Sequence, residues 1–146
     1  MNAKFQIGLV TFLLFFMSAV ASADMARQAT LTNFNGDVMV RQGAGDWKPA
    51  TQGLAMQVND EIKTSSGSTA EVLLDNGTVN IKEKSHFKIA TMDLDPTTGD
   101  KVTYLNLALG RIMVHAQKLQ GNSKFEVRTP TSTTGVRGTV FEISVD

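Results

Sequence analysis

The sequence predicts an all-β protein, a twisted solenoid-like or sandwich-like stack of short strands that follows an N-terminal signal peptide. Beyond Asp24, apolar and polar residues alternate in short runs, as expected where one face of each strand is buried. Glycine, asparagine and other turn-forming residues interrupt these runs at short intervals. Regular short strands joined by glycine-rich turns are typical of sandwiches, barrels and solenoids rather than of α/β folds.

Residues 1–23 have the three parts of a secretory signal peptide. A short start with one lysine precedes the largely apolar residues 5–20, and Ala-Ser-Ala then places small residues where signal peptidase reads. The competing interpretation is an uncleaved anchor, but the apolar run is shorter than the ~20 residues that a spanning helix needs. We therefore predict cleavage between Ala23 and Asp24, and a mature domain of residues 24–146 in the periplasm or secreted, without a membrane span.

Length and composition narrow the class of protein. The chain has 146 residues, which suits one domain, and 14 basic residues balance 14 acidic ones. Removal of the signal peptide takes one lysine, so the mature chain has 14 − 1 = 13 basic against 14 acidic residues. This balance gives no electrostatic reason to expect nucleic acid as a partner. The absence of cysteine excludes disulfides, thiolate metal sites and a cysteine nucleophile.

Six alternating runs define the predicted core. Their inward positions are Val38 and Val40; Ala70, Val72 and Leu74; Val79 and Ile81; Phe87 and Ile89; Phe125 and Val127; and Phe141, Ile143 and Val145. The first run follows an Asn-Gly turn at 35–36. Asp-Asn-Gly at 75–77 predicts a hairpin, because the tight Asn-Gly turn requires positive φ at both central residues. Residues 42–46 and 93–100 are predicted to be exposed hairpin tips.

One segment fits two patterns. Leu105, Leu109, Ile112 and Ala116 have helical spacing, so residues 104–117 match a helix. The same segment also forms two alternating runs, 102–109 and 111–116, hinged at Gly110. A glycine inside a helix costs ~1 kcal/mol, and no N-cap box precedes the run. We therefore predict strands.

Four segments, in this order along the chain, resemble the FecR domain, the periplasmic module of bacterial iron-citrate-type signalling regulators. They are Gly-Asp-Val at 36–38 with Trp-Lys-Pro-Ala at 47–50 and a glycine at 53; Asn-Asp-Glu-Ile-Lys-Thr at 59–64; Ala-Glu-Val-Leu-Leu-Asp-Asn-Gly-Thr at 70–78; and Phe-Glu-Val-Arg-Thr-Pro at 125–130 continuing to Gly-Val-Arg-Gly-Thr-Val-Phe at 135–141. Asn59 stands where the family usually has glycine. The resemblance spans about residue 30 to Asp146.

The resemblance implies an all-β module that, in full-length regulators, lies between a membrane helix and a receptor-contacting segment and relays a signal to a sigma factor. This chain departs from that pattern. We expect a signal peptide at Met1 in place of a cytoplasmic anti-sigma segment and no second domain after Asp146, where the family usually continues with one or two more strands. The sequence therefore resembles the isolated module.

The signature turn and the single tryptophan are the candidate ligand contacts. In the turn formed by Gly135, Val136, Arg137, Gly138 and Thr139, Arg137 has the chemistry to bind a carboxylate or phosphate. A purely structural interpretation is favoured, in which the glycines permit special backbone angles and Arg137 ties the turn to a neighbouring strand. Trp47 is either an exposed ring for stacking or, more commonly beside a proline, a cap on the edge of the core.

Catalytic and metal-binding patterns are weak. His86 and His115 are the only histidines, and a metal site usually needs more ligands. Asp93, Asp95 and Asp100 lack the glycine and the final glutamate of an EF-hand loop. No Gly-x-Ser-x-Gly nucleophile elbow occurs, and Asp-Glu at 60–61 would point to opposite faces of a strand. No cofactor, metal or catalytic residue is predicted.

These observations predict a non-enzymatic binding module of the bacterial envelope, with a protein or a small ligand as its partner and a role in signal sensing. The first alternative is a structural component of an envelope or extracellular assembly, which would associate through exposed strand edges. A carbohydrate-active enzyme is the least favoured, because the sequence shows no acidic cleft.

Overall fold

The computed structural model describes residues 26–146, and all of their regular structure is β-strand. The strands are β1 (Ala29–Asn35), β2 (Val38–Arg41), β3 (Trp47–Pro49), β4 (Leu54–Met56), β5 (Glu61–Thr64), β6 (Thr69–Leu74), β7 (Gly77–Ile81), β8 (His86–Leu94), β9 (Lys101–Ala116), β10 (Lys124–Arg128), β11 (Thr133–Gly135) and β12 (Val140–Val145). The predicted signal peptide and its cleavage at Ala23 and Asp24 lie outside the described residues.

The strands form one curled, open sheet that makes a half-barrel. Their main order is β3-β2-β5-β8-β9-β7-β6-β1-β4; β10 and β12 also pair with β9, and β11 pairs with β10. The all-β class is therefore confirmed, and its form is a single curled sheet. No helix in residues 26–146 is long and apolar enough to cross a membrane.

The predicted alternation places the core correctly along most strands. The inward positions of β2, β6, β7, β8 and β10 are buried, among them Val72, Val79 and Phe125. In β12, Phe141, Ile143 and Val145 are only half-buried, although they pack against the same core. The half-barrel therefore leaves its apolar face least covered at β12.

The long strand β9 organises the sheet, because its two halves have different neighbours. Its first half pairs with β8 and, in parallel, with β10. Its second half pairs with β7 and β12. The two predicted runs are thus one strand that bends at Gly110, and the helical alternative is wrong.

A close approach of Ser85 accommodates this bend. Gly110 has φ +95, and a Cβ at this position would overlap the side chain and Cα of Ser85. The hydroxyl oxygen of Ser85 accepts a hydrogen bond from the N–H of Arg111 at 3.0 Å. This bond satisfies a backbone donor at the bend.

The alternation predicted for residues 102–109 fails at its last position. Leu109 continues the alternation of Leu105 and Leu107, yet it is 49% exposed. Phe87 pairs with Leu107, whereas the preceding His86 pairs with Leu109. This register shift is a β-bulge, and the extra residue reverses the alternation that follows.

The predicted hairpin at 75–77 forms, but the predicted positive φ angles are wrong. Residues 74–77 do form the β6–β7 hairpin, with Leu74 opposite Gly77, but neither Asn76 nor Gly77 has positive φ. Gly77 instead lies against β9, where a Cβ would stand 2.7 Å from the carbonyl oxygen of His115. At 35–36 the chain turns as predicted, with Gly36 at φ +82, and β1 and β2 then pair with other strands.

An arginine just ahead of β1 links distant parts of the sheet. Arg27 is 8% exposed, and its Nε donates to Asp75 Oδ2 at 2.9 Å. Its Nη1 donates to the carbonyl oxygens of Asp93 and Val102 at 3.0 and 3.1 Å, and its Nη2 donates to the hydroxyl of Thr103 at 2.9 Å. The start of the described chain is thereby fixed to the β6–β7 turn, the end of β8 and the start of β9.

Candidate functional site

The signature turn at 135–139 is fixed to the sheet by its backbone at both ends. Val136 is buried, and its N–H donates to the carbonyl oxygen of Phe125 in β10 at 2.8 Å. The carbonyl oxygen of Thr139 accepts from the N–H of Ala116 in β9 at 3.1 Å. Gly138 has φ +59, and a Cβ there would lie 3.0 Å from the Cα of Lys118. The residues between these anchors are therefore held in a defined position.

Arg137 lies between the two anchors and points away from the core. It is exposed, and within residues 26–146 its guanidinium makes neither a hydrogen bond nor a salt bridge. It lines an open groove of ≈ 500 Å³ together with Leu119, Lys124, Glu126 and Gly135. The backbone hydrogen bonds of Val136 and Thr139 connect the turn to the neighbouring strands. The structural interpretation assigned this connection to the side chain of Arg137. The side chain itself is available to a ligand.

Trp47 lies on the outer face of the sheet in β3, the end strand of the main order. It is half-buried and does not belong to the hydrophobic core. Lys63 Nζ stands 4.4 Å and the Arg41 guanidinium carbon 5.0 Å from the ring centroid, and the His86 ring meets it edge-on at 5.8 Å. Cations within about 6 Å of an indole ring are attracted by its quadrupole. The result is an aromatic surface flanked by positive charge.

Glu61 bonds two of the side chains that surround Trp47, Arg41 and His86. Its carboxylate is buried, accepts from Arg41 Nε at 2.7 Å and contacts His86 Nε2 at 2.9 Å. Burial raises the pKa of Glu61, but the hydrogen bonds and charges of Arg41 and His86 together outweigh burial, so the pKa lies below its ordinary value. Glu61 is therefore an ionised anchor for two of the side chains around Trp47.

Replacing Glu61 with glutamine is expected to flatten the acid dependence of stability. Because the folded pKa is below the ordinary value of 4.5, ionised Glu61 stabilises the fold above that pH, and this contribution is lost as the pH falls through the folded pKa. From about pH 7 to pH 3, the free energy of unfolding should fall further in the wild type than in Glu61→Gln. Urea titrations followed by Trp47 fluorescence measure this difference. The exposed Glu142→Gln serves as control, and equal flattening in both variants would contradict the assignment.

The remaining predicted positions do not join either surface. His115 lies in β9 opposite Val140 and Thr78, away from His86. Asp95 Oδ1 accepts the N–H groups of Thr97 and Thr98 at 2.8 and 3.2 Å, so it forms a turn cap at the β8–β9 tip. In the part of the chain that the structure describes, no three His, Asp or Glu side chains gather as a metal site.

Sequence reasoning missed the assembly around Trp47. Alternation alone puts Arg41 and Lys63 on the face opposite Val40 and Ile62, but it does not say which strands are neighbours. The pairing of Arg41 with both Trp47 and Glu61 supplies that information. No hydrogen bond, ion pair or ring contact in residues 26–146 joins Trp47 to Arg137. They belong to separate surfaces.

The fold and the two surfaces define an all-β domain whose candidate contacts lie on an anchored turn and on an exposed sheet face. A family model described as FecR protein matches residues 60–146, which is more than half of the chain. The chain belongs to the FecR family, a bacterial envelope-associated signalling domain. No match was found among curated proteins or among solved structures.

The match covers residues 60–64 of the second segment that carries the resemblance, and all of the third and fourth segments. The first segment, at 36–53, lies ahead of the matched residues. Just ahead of the match, Asn59 occupies the place where glycine is usual, and its φ is +75. Left-handed backbone favours glycine and is tolerated by asparagine, because its short polar side chain can bond locally. The departure from the family pattern therefore preserves the backbone conformation.

Proposed function

We propose that this FecR-family chain is a non-enzymatic binding module of the periplasm, or a secreted one, that binds an envelope protein during signal sensing. Family membership supports the signalling role. The observation that carries the binding role is Arg137, an exposed guanidinium without an internal partner on a turn that is anchored at both ends. A positioned arginine loses little freedom on binding, so more of its interaction energy appears as affinity.

The chemistry of Arg137 identifies the group that it would bind. A planar guanidinium forms paired hydrogen bonds with a carboxylate, and such charge-assisted bonds are about twice as strong as neutral ones. Leu119 adds an apolar wall and Lys124 a second positive charge to the groove, whereas the acidic Glu126 in the same groove is paired with Arg128 at 3.3 Å. A protein segment that presents an aspartate, a glutamate or a terminal carboxylate beside an apolar side chain fits this groove. A small carboxylate ligand is the alternative occupant.

Replacing Arg137 with alanine is expected to abolish most of this binding without affecting the fold. The free energy of unfolding should change by less than about 0.5 kcal/mol, because the side chain makes no internal bond. Partner affinity should fall about tenfold or more, the effect of losing a charged contact worth ~1.4 kcal/mol. The partner affinity of Arg137→Lys should lie between those of the wild type and Arg137→Ala, since lysine keeps the charge but not the paired hydrogen bonds.

Site-specific photo-crosslinking in cells measures this effect before the partner is identified. A photoreactive residue at the exposed Thr139 should give one prominent adduct, which Arg137→Ala removes. Lys48→Ala is the matched control, because Lys48 is an exposed cation on β3 and should leave the adduct unchanged. An adduct of equal yield in Arg137→Ala, with the fold intact by circular dichroism, would refute the role of the turn.

Trp47 offers a second contact surface in this proposal. Arg41 and Lys63 flank its ring, so an acidic segment could pair with the cations while an apolar group covers the indole edge. A structural role in an envelope assembly, through exposed strand edges, is the second candidate function. The geometry favours binding over a carbohydrate-active enzyme, because Arg137 and Trp47 are separate contacts on open surfaces.

A further inference from the structure

A row of side chains crosses the outer face of the sheet, with one residue from each of the six strands β3, β2, β5, β8, β9 and β10. In this strand order the row consists of Trp47, Arg41, Glu61, Lys88, Asn106 and Arg128. Each residue is the register partner of the next. Their chain neighbours Val40, Phe87 and Val127 are buried in the core, so the alternation along the strands directs the row outward.

Positive charge recurs at every second strand of this row. Arg41, Lys88 and Arg128 lie in β2, β8 and β10, with Glu61 and Asn106 between them. Neighbouring strands are ~4.8 Å apart, so the cations follow each other at ~10 Å and the two arginines are ~19 Å apart across four strand steps. Asn106 is neutral, and the carboxylate of Glu61 is buried and already bonded within the domain. The row therefore presents regularly spaced cations, although acidic and basic residues balance over the whole chain.

An aromatic ring contacts the arginine at each end of the row. The guanidinium carbon of Arg41 lies 5.0 Å from the ring centroid of Trp47, and that of Arg128 lies 4.0 Å from the ring centroid of Tyr104. Such contacts attract a cation to the ring and thus restrict its position. Arg128 also donates to Glu126 at 3.3 Å, which occupies only part of the hydrogen-bonding capacity of a guanidinium. Both arginines are therefore positioned and retain donors for a ligand.

The cation midway along the row has no internal partner. Lys88 is half-buried, and within residues 26–146 its ammonium group makes neither a hydrogen bond nor a salt bridge. Exposed lysines are usually solvated by water, so this observation alone indicates no ligand. Its register with the two arginines gives it significance, because a linear ligand that bonds both arginines must pass over Lys88.

The spacing of the cations specifies the ligand that would match them. An extended polypeptide rises ~3.3 Å per residue, so the ~10 Å interval corresponds to three residues. In a polyproline II helix three residues complete one turn and rise ~9 Å, which places every third side chain on the same face. Three acidic residues with this spacing span ~19 Å, which is also the separation of Arg41 and Arg128 across four strands.

We propose that Arg41, Lys88 and Arg128 bind an acidic segment of the partner protein, in polyproline II conformation and with aspartate or glutamate at every third residue. This inference rests on the proposed function, because it specifies the acidic segment that the surface around Trp47 would contact. Each carboxylate would form a charge-assisted pair with one cation of the row. The segment would cross the strands of the sheet at the outer face without adding a strand to an edge.

Two synthetic peptides of equal composition and charge test the spacing. Both contain three glutamates in a proline-rich frame, which favours polyproline II; the glutamates are at every third position in the first peptide and consecutive in the second. The first peptide should bind the mature chain about tenfold more tightly, because only its carboxylates reach all three cations together. Fluorescence anisotropy of the labelled peptides measures both Kd values. Equal affinities, or no binding of either peptide, would overturn the proposal.

Substitution of the cations locates the binding on the sheet. Lys88→Gln and Arg128→Gln should each raise the Kd of the first peptide about threefold, and Lys88→Glu should raise it about tenfold. Lys48→Gln is the matched control, because Lys48 is an exposed cation beside Trp47 that pairs with the inward-facing Val40 and so lies outside the row. Circular dichroism checks that each variant is folded. An equal effect of Lys48→Gln and Lys88→Gln would refute the row as the binding surface.

The outcome is separable from the role of the signature turn. Arg137→Ala should leave the Kd of the first peptide unchanged, because Arg137 lies outside the row. Spacing-dependent peptide binding in a chain whose Thr139 adduct survives Arg137→Ala would therefore refute only the turn, and the reverse result would refute only the row. Polygalacturonate that binds more tightly than the first peptide, and loses affinity in Lys88→Glu, would assign the row to an acidic polysaccharide and overturn the peptide proposal.

Discussion

Replacing Gly110 with alanine is expected to destabilise the domain more than any other change considered. An L-residue at φ +95 costs about 1–2 kcal/mol, and the added Cβ would also overlap the backbone of Ser85. Relief of that overlap must move the β7–β8 turn or straighten β9, and either movement breaks the bond between Ser85 and Arg111. We expect a loss of about 3 kcal/mol or more, a large part of the 5–15 kcal/mol that stabilises a typical domain.

Urea unfolding of Gly110→Ala, followed by circular dichroism and by Trp47 fluorescence, measures this loss. Gly99→Ala is the matched control, because Gly99 also has positive φ, +76, but nothing lies within 4 Å of its added Cβ. The control should lose only the backbone cost of about 1 kcal/mol. Equal losses at the two positions would show that the contact with Ser85 does not constrain the bend.

Replacing Arg27 with methionine is expected to cost about 2–4 kcal/mol. The substitution keeps much of the apolar stem but leaves the carbonyl oxygens of Asp93 and Val102 without their donor and Asp75 without its buried partner. The estimate is below that for a fully buried pair, because the Asp75 side chain is 34% exposed and keeps Lys101. The urea midpoint should fall while the m-value stays constant.

Lys101→Met provides the control on the same carboxylate. Lys101 Nζ lies 3.1 Å from Asp75 Oδ2 and its side chain is 35% exposed, so its loss should cost less than about 1 kcal/mol. Burial raises the pKa of Asp75, but Arg27 and Lys101 together lower it below 3.8. The destabilisation by Arg27→Met should therefore shrink as the pH falls below that value, because the protonated carboxyl no longer needs a cation. A cost that is constant with pH would contradict the ion pair.

The strands and their inward faces were predictable because burial of one face imposes a period of two. Val72, Val79 and Phe125 follow that rule, and the bend at Gly110 was predicted by a glycine between two alternating runs. Leu109 was not predictable, because a bulge adds a residue without any mark in the sequence. The role of Gly77 was also not predictable, because glycine is used both in tight turns and where two strands pack closely, and the sequence does not distinguish these uses.

The candidate sites depended on information that the sequence does not carry. Trp47 and Arg137 could be singled out by residue type, but their surroundings follow from which strands are neighbours. Arg27 gave no signal at all, because its four contacts come from residues 48 to 76 positions away. Long-range pairing, rather than local pattern, decides whether a charged side chain is a ligand contact or a structural anchor.

The position of β9 in the sheet affects the order in which the strands of this domain can pair. Two of its neighbours, β7 and β8, precede it in the chain, whereas β10 and β12 follow it. During synthesis, β9 therefore lacks two of its neighbours until β10 and β12 have been made. High contact order of this kind slows folding, because distant strands must meet before their pairing stabilises the sheet.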